Sequence, residues 1–361
     1  ASANMMAKCR HGLTDDLLSC TYITFTGKPV VWVPAMNTRM WEHPATQENW
    51  RALQERPQHS GLEPEAGFLA CRETGKGHLP LLDHVMLALY KACHPSPHAW
   101  QGKRVVVSAG GTQEPLDVAR VLTNRSSGKM GIALADEAWS QGAEVVLCAA
   151  LEASRLPSRP YCVLHTPTVS TLQAALQHIL FDMPEAPPTC LWMAAAVSDF
   201  KPLTPSIQQK LKKETLFQEG EMSQEATLYL ALTLNPDILA GLATLRQQYH
   251  LPSKKCYMVG FAAEVHEDMT LANAKRLRKG VEALVLNRVD SEHTGFQSDT
   301  NAVTLLQASS QDASSLRVTP FPLQSKQTLA QALLAHVRPV FEDEDVSIQT
   351  PVSQQELGES L

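Results

Sequence analysis

At 361 residues the chain is long enough for two domains, each with a core of its own. Its 44% hydrophobic and 19% charged residues are the make-up of a soluble globular protein; no apolar run of about eighteen residues occurs, which excludes a membrane-spanning helix, and a formal net charge of −6 argues against a nucleic-acid binder, which needs a basic face. Eight cysteines (9, 20, 71, 93, 148, 162, 190, 256) lie scattered without a CxxC pair, the pattern of a reduced cytoplasmic protein rather than of a disulfide framework or zinc site.

In chain order, ASANMMAKCRHG has neither the charged nor the apolar region of a signal peptide. It begins without Met in what reads as the middle of a domain, so the chain is expected to be a fragment. KPVVWVPAMN (28–37) reads as a buried strand entering a functional loop, and TQENWRALQER (46–56) and DHVMLALYKA (83–92) as helices. KACHPSPHAWQGKR (91–104) marks a boundary, with 1–95 as one domain, 96–103 as linker and 104–341 as a second domain. There strands at 104–109, 144–149, 189–195, 255–261 and 282–287 alternate with helices at 130–141, 169–180, 236–249 and 269–279. This alternation implies βαβ units and an α/β fold whose parallel sheet is covered on both faces. Ligands in such sheets sit beyond the carboxyl ends of the strands. Residues 342–361 are acidic and polar, a disordered tail by composition; no internal repeat is visible.

The loops after those strands carry the candidate chemistry. In SAGGTQEPLDVARVLTNRSSGKMG (108–131), Gly110 and Gly111 let backbone approach a ligand closely, and Ser126, Ser127, Gly128 and Lys129 offer hydroxyls and amides at a helix start, where phosphate binds well. A glycine turn followed by a serine N-cap accounts for the same residues. The segment is neither GxGxxG nor GxxxxGK[ST]. In MAAAVSDFKP (193–202), small alanines leave room for a flat or sugar-like group, and Asp199 suits a ribose hydroxyl, a metal or a loop cap. Lys210, Lys212 and Lys213 lie on a polar stretch that is either a solvated face or a flap beside the binding loop. In LNPDILAGLATL, Asn235 reads as an N-cap, with Pro236 first in the helix and Asp237 in its first turn. Phe261 offers an aromatic face or a core contact, while Lys275 and Lys279, at i and i+4, either face a ligand or complement the helix dipole.

From these residues the chain is identified as resembling a known family. SAGGTQEPLDVARVLTNRSSGKMG, AAAVSDF, KLKK, NPDIL, VGFAAE, AKRLRK and GFQSDTN occur in the order found in phosphopantothenoylcysteine synthetase, the CTP-dependent ligase of coenzyme A biosynthesis, in its bacterial form. There the ligase follows a flavin-dependent phosphopantothenoylcysteine decarboxylase on one chain. ASANMMAK, PAMNTRMW (34–41) and LACRETGKGH (69–78) resemble the C-terminal half of that enzyme. The resemblance implies a Rossmann-like ligase domain preceded by the C-terminal part of a flavodoxin-like α/β flavoprotein domain. It implies that 4'-phosphopantothenate attacks the α-phosphate of CTP to give an acyl-cytidylate and pyrophosphate, after which L-cysteine displaces CMP. Asn124 is then expected to contact the acyl-cytidylate, Arg120 to assist and Lys210 to engage the nucleotide. Met193, Ala194, Ala195, Asp199, Asn235, Pro236, Asp237, Ile238, Phe261, Lys275 and Lys279 match CTP-binding positions. Gly111, Ser126, Ser127 and Gly128 are assigned to substrate, and Mg2+ is expected on the phosphates without a defined ligand set.

For the first domain the resemblance implies FMN, with Ala35 at a flavin-contacting position, Asn37 at a substrate-contacting one and Cys71 as the clamp acid that returns a proton. The clamp departs from the family's ACGExGxGRM in Arg72, His78 and Leu79, so it is either divergent or impaired. The family's catalytic histidine would lie upstream of Ala1; neither His11 nor His43 sits in its motif. A ligase-domain homodimer is the expected assembly. Two other functions fit a sheet of this kind: an NAD(P)-dependent oxidoreductase, against which the missing GxGxxG counts, and a non-catalytic flavin- or nucleotide-binding regulator.

Overall fold

The structure, a computed structural model, describes residues 1–25, 27–68, 74–183, 186–204, 210–211, 229–264, 268–288, 298–308 and 316–341. The chain divides into two compact units, 1–99 with 158–160, and 100–157 with 161–361.

The first unit contains helices α1 (Ala3–His11) and α2 (Leu17–Thr24), strand β1 (Val30–Trp32), helices α3 (Thr38–Glu42) and α4 (Pro44–Gln54), strands β2 (His59–Gly61), β3 (Glu65–Phe68) and β4 (Thr74–His78), and helix α5 (Leu82–Ala92). Strand β1 pairs with β2 in parallel, and β3 with β4 as an antiparallel hairpin. Helix starts follow local chemistry: Ser2 accepts from the Met5 N–H, Asp16 and Ser19 form a reciprocal capping box, and Pro44 takes the first position of α4. Met6, Cys9, Trp32, Trp41, Trp50 and Leu53 form the core.

The second unit is built on an eight-stranded sheet, with β5 (Arg104–Gly110), β8 (Glu144–Ala150), β9 (Cys162–His165), β10 (Thr189–Met193), β13 (Cys256–Glu264), β14 (Ala283–Arg288), β15 (Thr300–Ala308) and β16 (Leu316–Ser325) in the order β16-β15-β14-β13-β10-β5-β8-β9. The short pairs β6 (Gln113–Pro115) with β7 (Val121–Thr123) and β11 (Phe200–Pro202) with β12 (Leu232–Leu234) are antiparallel hairpins. Its helices are α6 (Lys129–Ser140), α7 (Val169–Gln177), α8 (Ile238–Gln248), α9 (Met269–Lys279) and α10 (Lys326–Val337).

Strands β9 to β14 run parallel. Numbered by their succession in the chain they lie 3-2-1-4-5-6, the doubly wound arrangement that binds nucleotides where the order reverses. The strands are continuous apolar runs because both faces are covered: every residue of β5 and of β10 is buried. Val106, Val146, Leu191 and Met258 face α7 and α8. Gly131 of α6 lies against Ala109, three residues on from Val106, so side-chain alternation puts α6 on the opposite face.

Several expectations change here. Helix α8 begins at Ile238 with Asp237, not Asn235, as its N-cap, accepting from the Ala240 N–H at 3.2 Å. Helix α6 has no serine cap: its N-cap is Gly128 at φ 75, a left-handed conformation that glycine adopts without strain. The parallel βα alternation ends at β14, beyond which β15 and β16 pair antiparallel on the edge. The exposed face of β16 and its Pro320 and Pro322 break the apolar pattern that marks the inner strands, and an edge tolerates both.

Candidate functional site

Strands β5 and β10, neighbours in the sheet, leave in sequence toward different hairpins, which opens a crevice at their carboxyl ends. Backbone bonds stitch the loop after β10 to the end of β5: Ala196 N–H donates to Gly110 O at 2.8 Å and Thr112 N–H to Ala196 O at 3.3 Å. Side-chain hydroxyls add to this, Ser108 Oγ accepting from Ala195 N–H at 3.1 Å and Thr112 Oγ1 from Ser198 N–H at 2.8 Å. The alanines are therefore held as a rigid, small-residue floor.

Asn124, leaving the β6–β7 hairpin, donates through Nδ2 to the carbonyls of Ala196 and Val197, both at 3.2 Å. With both amide hydrogens committed, its oxygen is the group it offers a ligand. Four residues on, the chain turns through Gly128 into α6, whose first N–H groups and dipole favour an anion.

On the far side, Asn235 N–H donates to Asp199 O at 2.8 Å and Asn235 Nδ2 to Ser198 O at 3.0 Å, tying the start of α8 to the β10 loop. Lys279 Nζ lies 3.0 Å from both Asp237 oxygens, and Lys275 Nζ 3.1 Å from Glu264 Oε1. Burial opposes the charge of Asp237, but Lys279 and the Ala240 N–H hold its carboxyl below the usual range. Phe261 stands 6.4 Å from Trp192, ring centre to ring centre, and is half-buried.

These pieces enclose a cleft of about 890 Å3. It is lined by Asn124, Ser126, Ser127 and Gly128, by Met193, Ala194, Ala195 and Asp199, by Asn235, Pro236, Asp237 and Ile238, and by Phe261, Lys275 and Lys279. Gly111 lines a second cavity of about 440 Å3, which shares Asn124, Ser126 and Ser127 with the first. A Cβ on Gly111 would meet Asn124 O at 2.6 Å, so the close backbone approach needs glycine.

Arg120 and Lys210 are placed differently. Arg120 lies off the cleft wall and clasps Asp117 through Nε at 2.9 Å and Nη2 at 2.6 Å, while Nη2 also donates to Leu211 O at 2.6 Å. Lys210 is exposed next to that anchored residue. In the first unit Asn37 caps α3 through the Arg39 N–H at 2.9 Å, and Ala35 N–H donates to Ala1 O at 3.1 Å. Cys71, Arg72, Lys212, Lys213, residues 295–297 of GFQSDTN and the tail 342–361 lie outside the described residues.

The cleft also includes Lys129 and Asn301, which fall within quoted motifs, and Asn287 and Lys326, which no motif singled out. For Lys326 a signal was available, since Ser325-Lys-Gln-Thr before an apolar helical run is an N-cap pattern, and Ser325 does accept from the Thr328 N–H at 3.1 Å. Among the described residues no group of three or more His, Cys, Asp or Glu could hold a metal, and no helix is long and apolar enough to cross a membrane. The seven described cysteines are unpaired, and burial pushes the Cys148 and Cys256 thiols up to about 12, which makes them inert.

Residues 100–340 match the family model described as the DNA/pantothenate metabolism flavoprotein C-terminal domain, and residues 1–94 the one described as flavoprotein. The chain is 35% identical, over 92% of its length, to the coenzyme A biosynthesis bifunctional protein CoaBC of Vibrio cholerae serotype O1, 76% of which it covers. It is 32% identical, over 93% of its length, to a cysteine/cysteine sulfinic acid decarboxylase of an unknown prokaryotic organism, covering 86% of that protein. Among solved structures it is similar to the C-terminal domain of a coenzyme A biosynthesis bifunctional protein CoaBC, with 26% identity and a TM-score of 0.50 over 68% of this chain and 100% of that one.

Proposed function

Because the chain belongs to the family of bifunctional coenzyme A biosynthesis proteins, we propose that its second domain, 104–341, joins 4'-phosphopantothenate to L-cysteine at the expense of CTP, and that 1–95 is part of the decarboxylase that acts on the product. The observation that carries this reading is the cleft of about 890 Å3 at the carboxyl edge of the sheet, where a glycine-entered helix start, a small-residue floor, an aromatic ring and several lysines converge.

In the first half-reaction a carboxylate oxygen of phosphopantothenate bonds to the α-phosphorus of CTP while the bond to the bridging oxygen of pyrophosphate breaks. In the second, the cysteine nitrogen bonds to the acyl carbon, the bond to CMP breaks and the amine loses a proton. Such chemistry asks the protein for positioning and for charge where phosphate oxygens develop it. The Ala194–Ala195 floor takes the nucleoside, with Asp199 at its ribose and Phe261 beside it. Lys275 and Lys279, paired in the structure to Glu264 and Asp237, supply cations from the opposite wall. Asn124, braced on Ala196 and Val197, presents its oxygen to the acyl-cytidylate and the incoming amine. Lys210 engages the nucleotide from a position set by Leu211, whose backbone Asp117 and Arg120 hold. Magnesium would be held chiefly by the phosphates, with a carboxylate such as Asp199, and would offset their negative charge.

In the first domain a bound FMN supplies an acceptor for the electrons of the cysteinyl end. The loop Ala35–Thr38 fits a ligand: the buried Thr38 hydroxyl has no partner among the described residues. Cys71 is the proposed acid. The unpaired thiols suit the cytoplasm, and the exposed apolar residues of the β6–β7 and β11–β12 hairpins suit a homodimer.

The test is release of pyrophosphate from CTP and 4'-phosphopantothenate alone, with CMP release requiring L-cysteine. Asn124→Asp, which cannot donate to the two carbonyls, should lower turnover roughly a hundredfold or more while the protein still melts cooperatively. Absence of CTP-dependent product, with carbon dioxide released from cysteine or cysteine sulfinic acid, would replace this reading by that of the decarboxylase relative.

A further inference from the structure

The second cavity, of about 440 Å3, opens beside the cleft and shares Asn124 with it, but its far wall belongs to another loop, the one that follows β8. Strand β8 lies next to β5 and runs parallel to it, so this loop leaves the same carboxyl edge of the sheet as the cleft loops. Its base is fixed. A Cβ on Gly110 would meet the Ala150 carbonyl oxygen at 2.2 Å, Leu151 comes within 3.3 Å of a Cβ built on Gly128, and His165 Nε2 lies 2.9 Å from the Leu151 carbonyl oxygen. Ala150 and Leu151, 1% and 4% exposed, give the cavity an apolar floor.

From that base the chain makes a single 3-10 turn, Ala153–Arg155, with Glu152 as its N-cap and the Arg155 N–H donating to Glu152 O at 2.8 Å. At three residues per turn, positions i and i+3 eclipse, so Glu152 and Arg155 stand on one side of the turn, and both line the cavity. Among the described residues, neither side chain forms an ion pair or a hydrogen bond, with the other or with any third group. An anion and a cation set on one side of a turn, both unpaired and both lining a hollow at the strand ends, match a ligand that carries both charges, an α-amino acid zwitterion. A phosphate would meet the Glu152 carboxylate as a like charge. Asn124 fixes where such a ligand reacts, because it lines both cavities and its amide hydrogens are committed to Ala196 and Val197.

We propose that this second cavity is the amino-acid subsite of the ligase: Arg155 takes the α-carboxylate of L-cysteine, Glu152 takes the ammonium of the arriving zwitterion, and the CH2SH group rests on Ala150 and Leu151. Once the ammonium has lost a proton to solvent, its nitrogen passes Asn124 and bonds to the acyl carbon as the bond to CMP breaks. The inference rests on the ligase reading and adds to it the residues that select and hold the amine substrate, on a loop that the nucleotide does not need.

The experiment is steady-state kinetics of the full chain, as wild type, Arg155→Met and Glu152→Gln, with L-cysteine and with cysteamine, which keeps the amine and the thiol but lacks the carboxylate. Pyrophosphate release from CTP and 4'-phosphopantothenate is measured alongside, without any amine. Both positions are exposed, so neither substitution disturbs the core. Losing one charge-assisted contact should raise the KM for L-cysteine roughly tenfold in each variant, while Arg155→Met leaves the KM for cysteamine, and both variants leave pyrophosphate release, within about twofold of wild type. Glu152→Gln should weaken both amines. An unchanged KM for L-cysteine in either variant, an equal effect of Arg155→Met on cysteamine, or a defect confined to pyrophosphate release or to the KM for 4'-phosphopantothenate would overturn the proposal. A wild type that releases no pyrophosphate from CTP would instead remove the ligase reading beneath it.

Discussion

Asp117 is buried, yet five donors hold it charged: the N–H groups of Ala119, Arg120 and Leu211, and Nε and Nη2 of Arg120. Burial alone would raise its carboxyl, but those donors bring it down to about 2. In the unfolded chain the same group titrates near 3.9. Its folded value is the lower, so its stabilisation is complete above the unfolded value and is lost as pH falls from about 5 through about 2. Asp117→Asn should therefore lower the melting temperature at pH 7, and the gap to wild type should close across that acid window. A gap that stays constant from pH 7 to 2 would contradict the account. At this scale the sequence misled at two helix starts: a serine was read as the cap of α6, where Gly128 takes that place, and Asn235 as the cap of α8. Asn, Pro and Asp in succession all suit a helix start, and only the fold shows that Asp237 caps α8 while Asn235 ties it to the β10 loop.

At the scale of elements, the register of α6 on the sheet sets one edge of the cleft. A Cβ on Gly131 would sit 2.6 Å from the Ala109 Cβ and 2.9 Å from Ser108 O, so the helix lies as close to β5 as a missing side chain permits. Gly131→Ala sets two effects against each other: a helix-propensity gain of about 1 kcal/mol and an overpacking cost of roughly 1–3 kcal/mol against a backbone atom that cannot yield. The second should win, giving net destabilisation in a denaturant melt together with weaker CTP binding, because α6 carries Gly128 and Lys129 into the cleft. Net stabilisation would show that the helix can lift off β5 freely. The apolar runs of β5, β8 and β10 and the helices between them were readable because a strand buried on both faces carries a continuous signal. Strand β9, four residues long, and the edge strand β16 were not, since a short or half-exposed strand carries a weak one.

For the whole molecule, the β6–β7 and β11–β12 hairpins touch each other and expose Val118, Val121, Phe200, Leu203, Leu232 and Leu234, each more than two-fifths exposed. The homodimer proposed above would bury this cluster, since contiguous exposed apolar residues mark association sites. Light scattering should report a dimer, and the double variant Val118→Glu, Leu232→Glu a monomer with an unchanged circular dichroism spectrum. A wild-type monomer at micromolar concentration would reject this surface.

Between them, periodicity and motif order determined the class of fold, its parallel sheet and the loops in which chemistry had to lie. Alternating βα segments admit few topologies, and parallel strands present their carboxyl ends on one edge. Which residues share the cleft was decided by tertiary structure. Spatial neighbours in a doubly wound sheet follow strand order, not chain order, so Lys129 at the start of α6 meets Asp299 and Lys326 from the far end of the chain. The same packing turns Arg120 toward Asp117 and Leu211, off the cleft wall. The Asp117–Arg120 pair is local, three residues apart, but no local pattern encodes the Lys129–Asp299 pair or the Arg120 bond to Leu211, because each joins segments far apart in the chain.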